Sequence, residues 1–249
     1  MPTIAQRGCT IHYTVSGSGS AVLLLAGWGA TVESWGPLAS RLSADHLVVA
    51  VDNRGAGRTQ HTRRTFTINS MADDAIAVLD DAGIDSAIVI GNSLGGLIAQ
   101  SMALRYPGRV RSLVLLSTSI GTPSVPSHPL LLRDVMRAVS RRIARRGRPA
   151  DTPGEITYSG AQLLATLGWF GLGALPRIHV STLLIHGRRD LVIPLINARI
   201  AARLLPHARL VTLDAGHLII DDALDEVMAA LNAFFEEPST AGGGVPSAA

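Results

Sequence analysis

The chain has 249 residues, 47% hydrophobic and 16% charged, which excludes a disordered polyelectrolyte and is long enough to bury one sizeable core. The formal net charge is only +3 and every basic residue is arginine, so nucleic-acid binding is not indicated and the lysine-free composition reads as genome bias. The single cysteine, Cys9, excludes an intramolecular disulfide and fits a reducing compartment.

Short β-type runs alternate with helical patterns, which predicts an α/β fold with a mostly parallel sheet covered on both faces. The N-terminus carries no basic region followed by an apolar core and cleavage site, so a cytoplasmic location is expected. Residues 11–15 read as an early strand, followed by the turn Ser16-Gly17-Ser18-Gly19-Ser20. A second strand is predicted over 22–26, in an apolar run far too short to span a bilayer. Gly27-Trp28-Gly29 follows and permits close backbone approach. A helix over 33–42 and a strand over 46–51 lead to Asp52-Asn53-Arg54-Gly55-Ala56-Gly57-Arg58, which reads as a turn anchored by polar contacts. Next come a helix over 68–82, a strand over 86–90, a helix over 94–106 and a strand over 110–116.

The rhythm breaks over 121–177. Pro123, Pro126 and Pro129 open a stretch with helical signals at 130–146 and 160–167 and none for a strand. This stretch is expected to be a helical lid inserted into a core made of 1–120 and 178–237. Strands over 180–186 and 209–213 and helices over 195–205 and 221–237 complete the core. Residues 238–249, all but one Gly, Ala, Ser, Pro or Val, read as a disordered tail.

Gly91-Asn92-Ser93-Leu94-Gly95 carries the chemistry. It has the form Gly-x-Ser-x-Gly between a strand and a helix, which pushes the serine hydroxyl out above the sheet on a strained turn. A serine hydroxyl needs a base, and the base needs an acid to orient it. Asp190 follows the 180–186 strand and His217 follows the 209–213 strand, in the chain order Ser, Asp, His that this architecture requires. Asp214 is too near His217 in sequence to reach it easily, and His186, at the end of a strand, reads as a core residue supporting the site. His12, His46, His61, His128, His179 and His207 have no comparable setting. The backbone N–H groups of Trp28 and Leu94 are the candidate oxyanion donors. Gly27, Asn92, Trp169 and Leu218 are the candidate substrate contacts. No metal cluster, phosphate loop or dinucleotide fingerprint is present in the sequence, and no cofactor is expected.

Arg133, Arg137, Arg141 and Arg145 recur every four residues on the predicted 130–146 helix. Docking to an acidic carrier protein or a hydrophobic particle surface would use such a row; an arginine-rich solvated face accounts for it equally.

Over residues 10–236 the chain resembles the α/β-hydrolase superfamily. Asp52-Asn53-Arg54-Gly55-Ala56-Gly57 and Gly91-Asn92-Ser93-Leu94-Gly95-Gly96 are similar to segments of esterases, enol-lactonases and carbon–carbon bond hydrolases. Gly27-Trp28-Gly29-Ala30, Gln162-Leu163-Leu164-Ala165-Thr166-Leu167-Gly168-Trp169, Ile193-Pro194-Leu195-Ile196-Asn197 and Leu213-Asp214-Ala215-Gly216-His217-Leu218 resemble intracellular poly(3-hydroxyalkanoate) depolymerases. The resemblance implies an α/β-hydrolase fold, with a mostly parallel eight-stranded sheet flanked by helices and a short helical lid. It also implies hydrolysis of 3-hydroxyacyl esters by Ser93, Asp190 and His217. The expectation is a serine hydrolase cleaving a carboxylic ester or lactone of a small acyl substrate through an acyl-enzyme. A serine at this position argues against the branches that use a carboxylate nucleophile. The alternatives are a carbon–carbon bond hydrolase, a carrier-linked thioesterase or acyltransferase, and a non-catalytic small-molecule receptor.

Overall fold

A computed structural model gives the fold and describes residues 2–61, 65–125 and 155–237. The helix expected over 130–146 with its arginine row, and the expected 238–249 tail, lie outside the described residues. The strands are β1 (Thr3–Gln6), β2 (Cys9–Ser16), β3 (Ser20–Leu25), β4 (His46–Val51), β5 (Gln60–His61), β6 (Ala87–Asn92), β7 (Val110–Leu116), β8 (Thr182–Gly187) and β9 (Ala208–Leu213). Eight of them form one sheet in the order β1-β2-β4-β3-β6-β7-β8-β9, and the two-residue β5 pairs with β2. The β1–β2 and β2–β4 pairs are antiparallel. Every pair from β4 across to β9 is parallel.

The helices are α1 (Gly36–Leu42), α2 (Ile68–Asp81), α3 (Leu94–Arg105), α4 (Glu155–Leu167), α5 (Gly171–Ala174), α6 (Leu195–Leu204), α7 (Ile219–Asp222) and α8 (Leu224–Phe235). The period-two alternation of β3 explains the layering. Val22 and Leu24 pack with Leu38 and Leu42 of α1 and Val227 and Leu231 of α8. Leu23 and Leu25 face the other way, onto Met71 and Leu79 of α2, Leu97 and Ile98 of α3 and Ala198 of α6. Both faces are covered, which is why the strand is an unbroken apolar run. Each such side chain contributes about 1.5–3 kcal/mol by burial. Helix α3 is buried from Leu94 to Ala103, as expected of a central helix apolar on every side. Among the described residues no helix is long and apolar enough to cross a membrane.

Local chemistry moves some expected boundaries. The helix expected over 33–42 is a 3-10 turn, Val32–Trp35, and then α1, because Pro37 lacks an N–H and suits a first helical turn. The helix expected over 221–237 divides at Ala223 (φ −150°, ψ 47°) into α7 and α8. There Asp222 Oδ2 turns back to accept the Gly216 N–H at 2.9 Å. Strand β1 was not expected; it is an edge strand of half-exposed residues with little apolar signal. In the stretch expected to carry no strand, Gly121 and Phe170 form one isolated bridge.

The strand order reverses at β3, which has β4 on one side and β6 on the other. In parallel α/β sheets the carboxyl ends of the strands at such a reversal open a crevice. The chain leaves β3 after Leu25 and β6 after Asn92, and Gly27 and Ser93 lie side by side just beyond.

Candidate active site

Ser93 stands between β6 and α3 with φ 51° and ψ −116°, a left-handed conformation that costs a non-glycine residue about 1–3 kcal/mol. The surroundings enforce it. The Ser93 N–H donates to the Leu116 carbonyl at 2.9 Å, and its carbonyl accepts from Gly96 N–H at 3.0 Å and Thr118 Oγ1 at 2.6 Å. The flanking glycines are sterically required. A Cβ on Gly91 would lie 2.3 Å from the Gly95 carbonyl oxygen, and one on Gly95 would lie 1.8 Å from that of Leu25. Serine commonly caps a helix with its side chain. Ser93 makes no such bond, and its hydroxyl meets His217 Nε2 at 3.2 Å instead.

His217 and Asp190 arrive on two loops stitched together by backbone bonds. Arg188 N–H donates to the Leu213 carbonyl at 2.8 Å and Arg189 N–H to that of Ala215 at 3.0 Å. Gly187 permits this approach, since a Cβ there would lie 2.4 Å from the Ala215 carbonyl oxygen. Asp190 Oδ2 lies 2.9 Å from His217 Nδ1, and Oδ1 accepts the Val192 and Ile193 N–H groups at 2.9 and 2.8 Å. A carboxylate so loaded with donors accepts only, so Nδ1 carries the ring proton and the Nε2 lone pair faces Ser93. This chain of hydrogen bonds can remove the Ser93 proton and stabilise the resulting imidazolium.

His186 lies beneath Asp190. Its Nε2 donates to the Ile193 carbonyl at 2.8 Å and sits 3.4 Å from Asp190 Oδ2. Burial holds this imidazole below the ordinary histidine range, the Ile193 hydrogen bond and the Asp190 charge opposing it only in part. A neutral His186 leaves Asp190 to His217. Asp214 is exposed and pairs with Arg189 at 3.0 Å.

The loop after β3 abuts the serine: a Cβ on Gly27 would come within 3.3 Å of Ser93 Cβ and 3.1 Å of Asn92 Oδ1. Gly29 N–H donates to Gln162 Oε1 at 2.9 Å and Ala30 N–H to the Gly27 carbonyl at 3.1 Å. Both are thereby committed to partners within the protein. Leu94 is the first residue of α3, where an N–H has no intrahelical acceptor. A cavity of about 90 Å³ opens here, with Gly27, Trp28, Asn92, Ser93, His217 and Leu218 in its wall.

Trp169, expected to touch substrate, is not among the lining residues. It is buried, its indole N–H donates to Gln100 Oε1 at 3.1 Å, and its backbone lies under Gly121. The apolar ring is used in packing α4 against α3.

Two features were not expected. One is Gln162, fully buried on α4 and bonded to both Gly29 and Arg54. In the sequence it was a glutamine between Ala161 and Ala165 that opens one of the segments resembling the depolymerases. The other is a second histidine–aspartate pair, His12 Nδ1 to Asp52 Oδ2 at 2.9 Å, both buried. Asp52 also accepts the Val32 and Arg58 N–H groups at 2.8 and 2.9 Å, so the polar turn expected after β4 is present.

A family model described as alpha/beta hydrolase fold matches residues 20–146. The poly(3-hydroxyalkanoate) depolymerase of Ectopseudomonas oleovorans is 30% identical over 239 residues, covering 87% of this chain and 84% of that protein. A putative carbamate hydrolase, RutD, of Azorhizobium caulinodans is 29% identical over 242 residues, covering 87% and 91%. Among solved structures, the enol-lactonase from Burkholderia xenovorans LB400 superposes with a TM-score of 0.81 at 24% identity, covering 95% of this chain and 100% of that one.

Proposed function

The chain belongs to the alpha/beta hydrolase fold family and is a hydrolase, and on that premise we propose that it cleaves a carboxylic ester through an acyl-enzyme on Ser93. His217 Nε2 takes the serine proton as Oγ attacks the carbonyl, while Asp190 holds the imidazole in its Nδ1–H tautomer. The Trp28 and Leu94 N–H groups receive the tetrahedral oxyanion. His217 then protonates the departing alcohol, and a water deprotonated by the same imidazole releases the acid. Residues 121–177 act as the lid, with Gly27, Asn92 and Leu218 bordering the acyl group.

The observation that carries this reading is the hydrogen-bonded chain from Asp190 through His217 to Ser93 in a cavity wall. The cavity beside Ser93 and His217, about 90 Å³, gives a small acyl group a place to sit. The named activity of the 30% identical relative supports a 3-hydroxyacyl ester as the natural class.

The test is p-nitrophenyl ester hydrolysis from acetate to dodecanoate, with fluorophosphonate labelling alongside. Turnover is expected to peak at medium chain lengths. Ser93→Ala is expected to lose about 10³-fold or more and all labelling, at an unchanged melting temperature. Hydrolysis that survives in Ser93→Ala, or a folded wild type that neither turns over nor labels, overturns the reading. Labelling without ester turnover redirects the substrate to a carbon–carbon bond or a carrier-linked acyl group.

A further inference from the structure

We infer that Gln162 is a positioning residue for the oxyanion donor on the loop after β3, so that seating of α4 and competence of that donor are one event. The inference rests on the serine-hydrolase reading above.

The Gln162 carboxamide is buried and both its ends are used. Oε1 accepts the Gly29 N–H at 2.9 Å, and Nε2 donates to the Arg54 carbonyl at 2.7 Å. One partner is a donor and the other an acceptor, so the amide has a single satisfactory orientation. The Gly29 N–H belongs to the peptide unit that begins at the Trp28 carbonyl. Holding that planar unit restrains the backbone on one side of Trp28, and the Asn53 bond to the Ala26 carbonyl restrains it on the other, so the Gly27–Trp28 unit between them, which carries the Trp28 N–H, has little freedom to turn. Gly29 itself has φ 63°, a conformation that needs external support to persist in one form.

The far end of the bridge is firmly anchored. Arg54 is buried and its guanidinium grips Asp74 of α2, Nη2 to Oδ1 at 2.7 Å. The neighbouring Asn53 Nδ2 donates to the Ala26 carbonyl at 2.8 Å. The oxyanion loop is therefore held at its entry by Asn53 and at Gly29 by Gln162, both from the Asn53–Arg54 side. Among the described side chains of α4, those buried beside Gln162 are the small Ala161 and Ala165, while Leu163, Leu164 and Leu167 are exposed. Small side chains bury little apolar area, so among these residues the glutamine bonds attach the helix to the loop.

Gln100 supplies a control. It is equally buried and also bridges two elements, donating to the Ser119 carbonyl at 2.9 Å and accepting from Trp169 Nε1, without touching the oxyanion loop. The experiment compares wild type, Gln162→Leu and Gln100→Leu on a p-nitrophenyl ester and its thiono analogue. Sulfur replaces the atom the oxyanion donors hold, so the oxo-to-thiono rate ratio reports on them directly. Removing an oxyanion donor outright costs about 10²–10³ in kcat, and displacing one is expected to cost about 10-fold. Gln162→Leu should lose about that factor in kcat with KM within twofold, and its oxo-to-thiono ratio and fluorophosphonate labelling rate should fall in step. Gln100→Leu should lose stability to a similar extent and keep the wild-type ratio. If Gln162→Leu does not fold, Gln162→Asn, too short to span both partners, should give the same fall in ratio. An unchanged ratio in Gln162→Leu or Gln162→Asn, with Ser93→Ala inactive, overturns the inference and leaves the serine-hydrolase reading standing. Activity that survives in Ser93→Ala overturns both.

Discussion

His12–Asp52 and His217–Asp190 are the same pair by local geometry: each joins Nδ1 to Oδ2 at 2.9 Å, and each carboxylate also takes two backbone N–H groups. Their surroundings separate them. The first is shut in, with side-chain exposures of 2% and 0%, and it ties β2, the chain before α1 and the turn at Arg58 to the end of β4. The second has its aspartate equally buried but its histidine 9% exposed, on a cavity wall with Ser93 Oγ beyond Nε2. What separates the two pairs is where the second ring nitrogen points: that of His217 faces the Ser93 hydroxyl beside a cavity.

Exchanging the two carboxylates for amides breaks the comparison most sharply. Asp190→Asn is expected to lower kcat by about 10³–10⁴ with the melting temperature nearly unchanged, because an amide does not enforce the Nδ1–H tautomer. Asp52→Asn should do the reverse. Its amide would turn a donor toward one of three existing donors, costing about 2–4 kcal/mol in denaturant unfolding while kcat per folded molecule stays within about threefold. Equal losses of activity per folded molecule in the two variants would erase the distinction.

A stability loss of about 2–3 kcal/mol is expected from Gly57→Ala. Gly57 has φ 56°, and a Cβ there would lie 2.2 Å from Asp52 Oδ2. The added methyl strikes the structural pair alone, so urea midpoints should fall with the ester chain-length profile intact.

His186 sharpens the comparison at lower energy. Burial depresses its pKa, so the folded protein resists a proton that the unfolded chain accepts near the ordinary value of about 6.5. The stability tied to its neutral form is present in full above that pH and is lost as pH falls below it. His186→Asn should therefore flatten the slope of unfolding free energy against pH below about 6.5. A slope unchanged in that variant would assign it to another group.

The smallest effect is a rate of chemical labelling. Cys9 lies on β2, the strand that carries His12, and burial pushes its thiol up to about 11, with Arg54 lowering it and Asp74 raising it by lesser amounts. An aromatic disulfide at pH 8 should leave Cys9 untouched in the wild type and react measurably faster in Asp52→Asn. Equal rates would mean that this end of β2 does not depend on the pair.

Local patterns made much of the molecule readable in advance. The Gly-x-Ser-x-Gly turn was legible because strand, turn and helix are consecutive and the glycines answer clashes a few residues away. The positions of Asp190 and His217 at strand ends were legible because a parallel sheet delivers its loops to one edge. Gln162, the His12–Asp52 pair and the Trp169–Gln100 bond were not, because their partners lie 133, 40 and 69 residues away.

The sequence alone determined the alternating α/β order, the two-sided burial of the sheet and the strained serine, since each follows from periodicities and sterics over a few residues. Tertiary structure decided that His12 and Asp52 form a second pair, where the α7–α8 break falls and which buried amide grips the loop at Gly29. Hydrogen bonds between distant segments depend on how packed elements align, to within a fraction of an ångström, and no local pattern encodes that alignment.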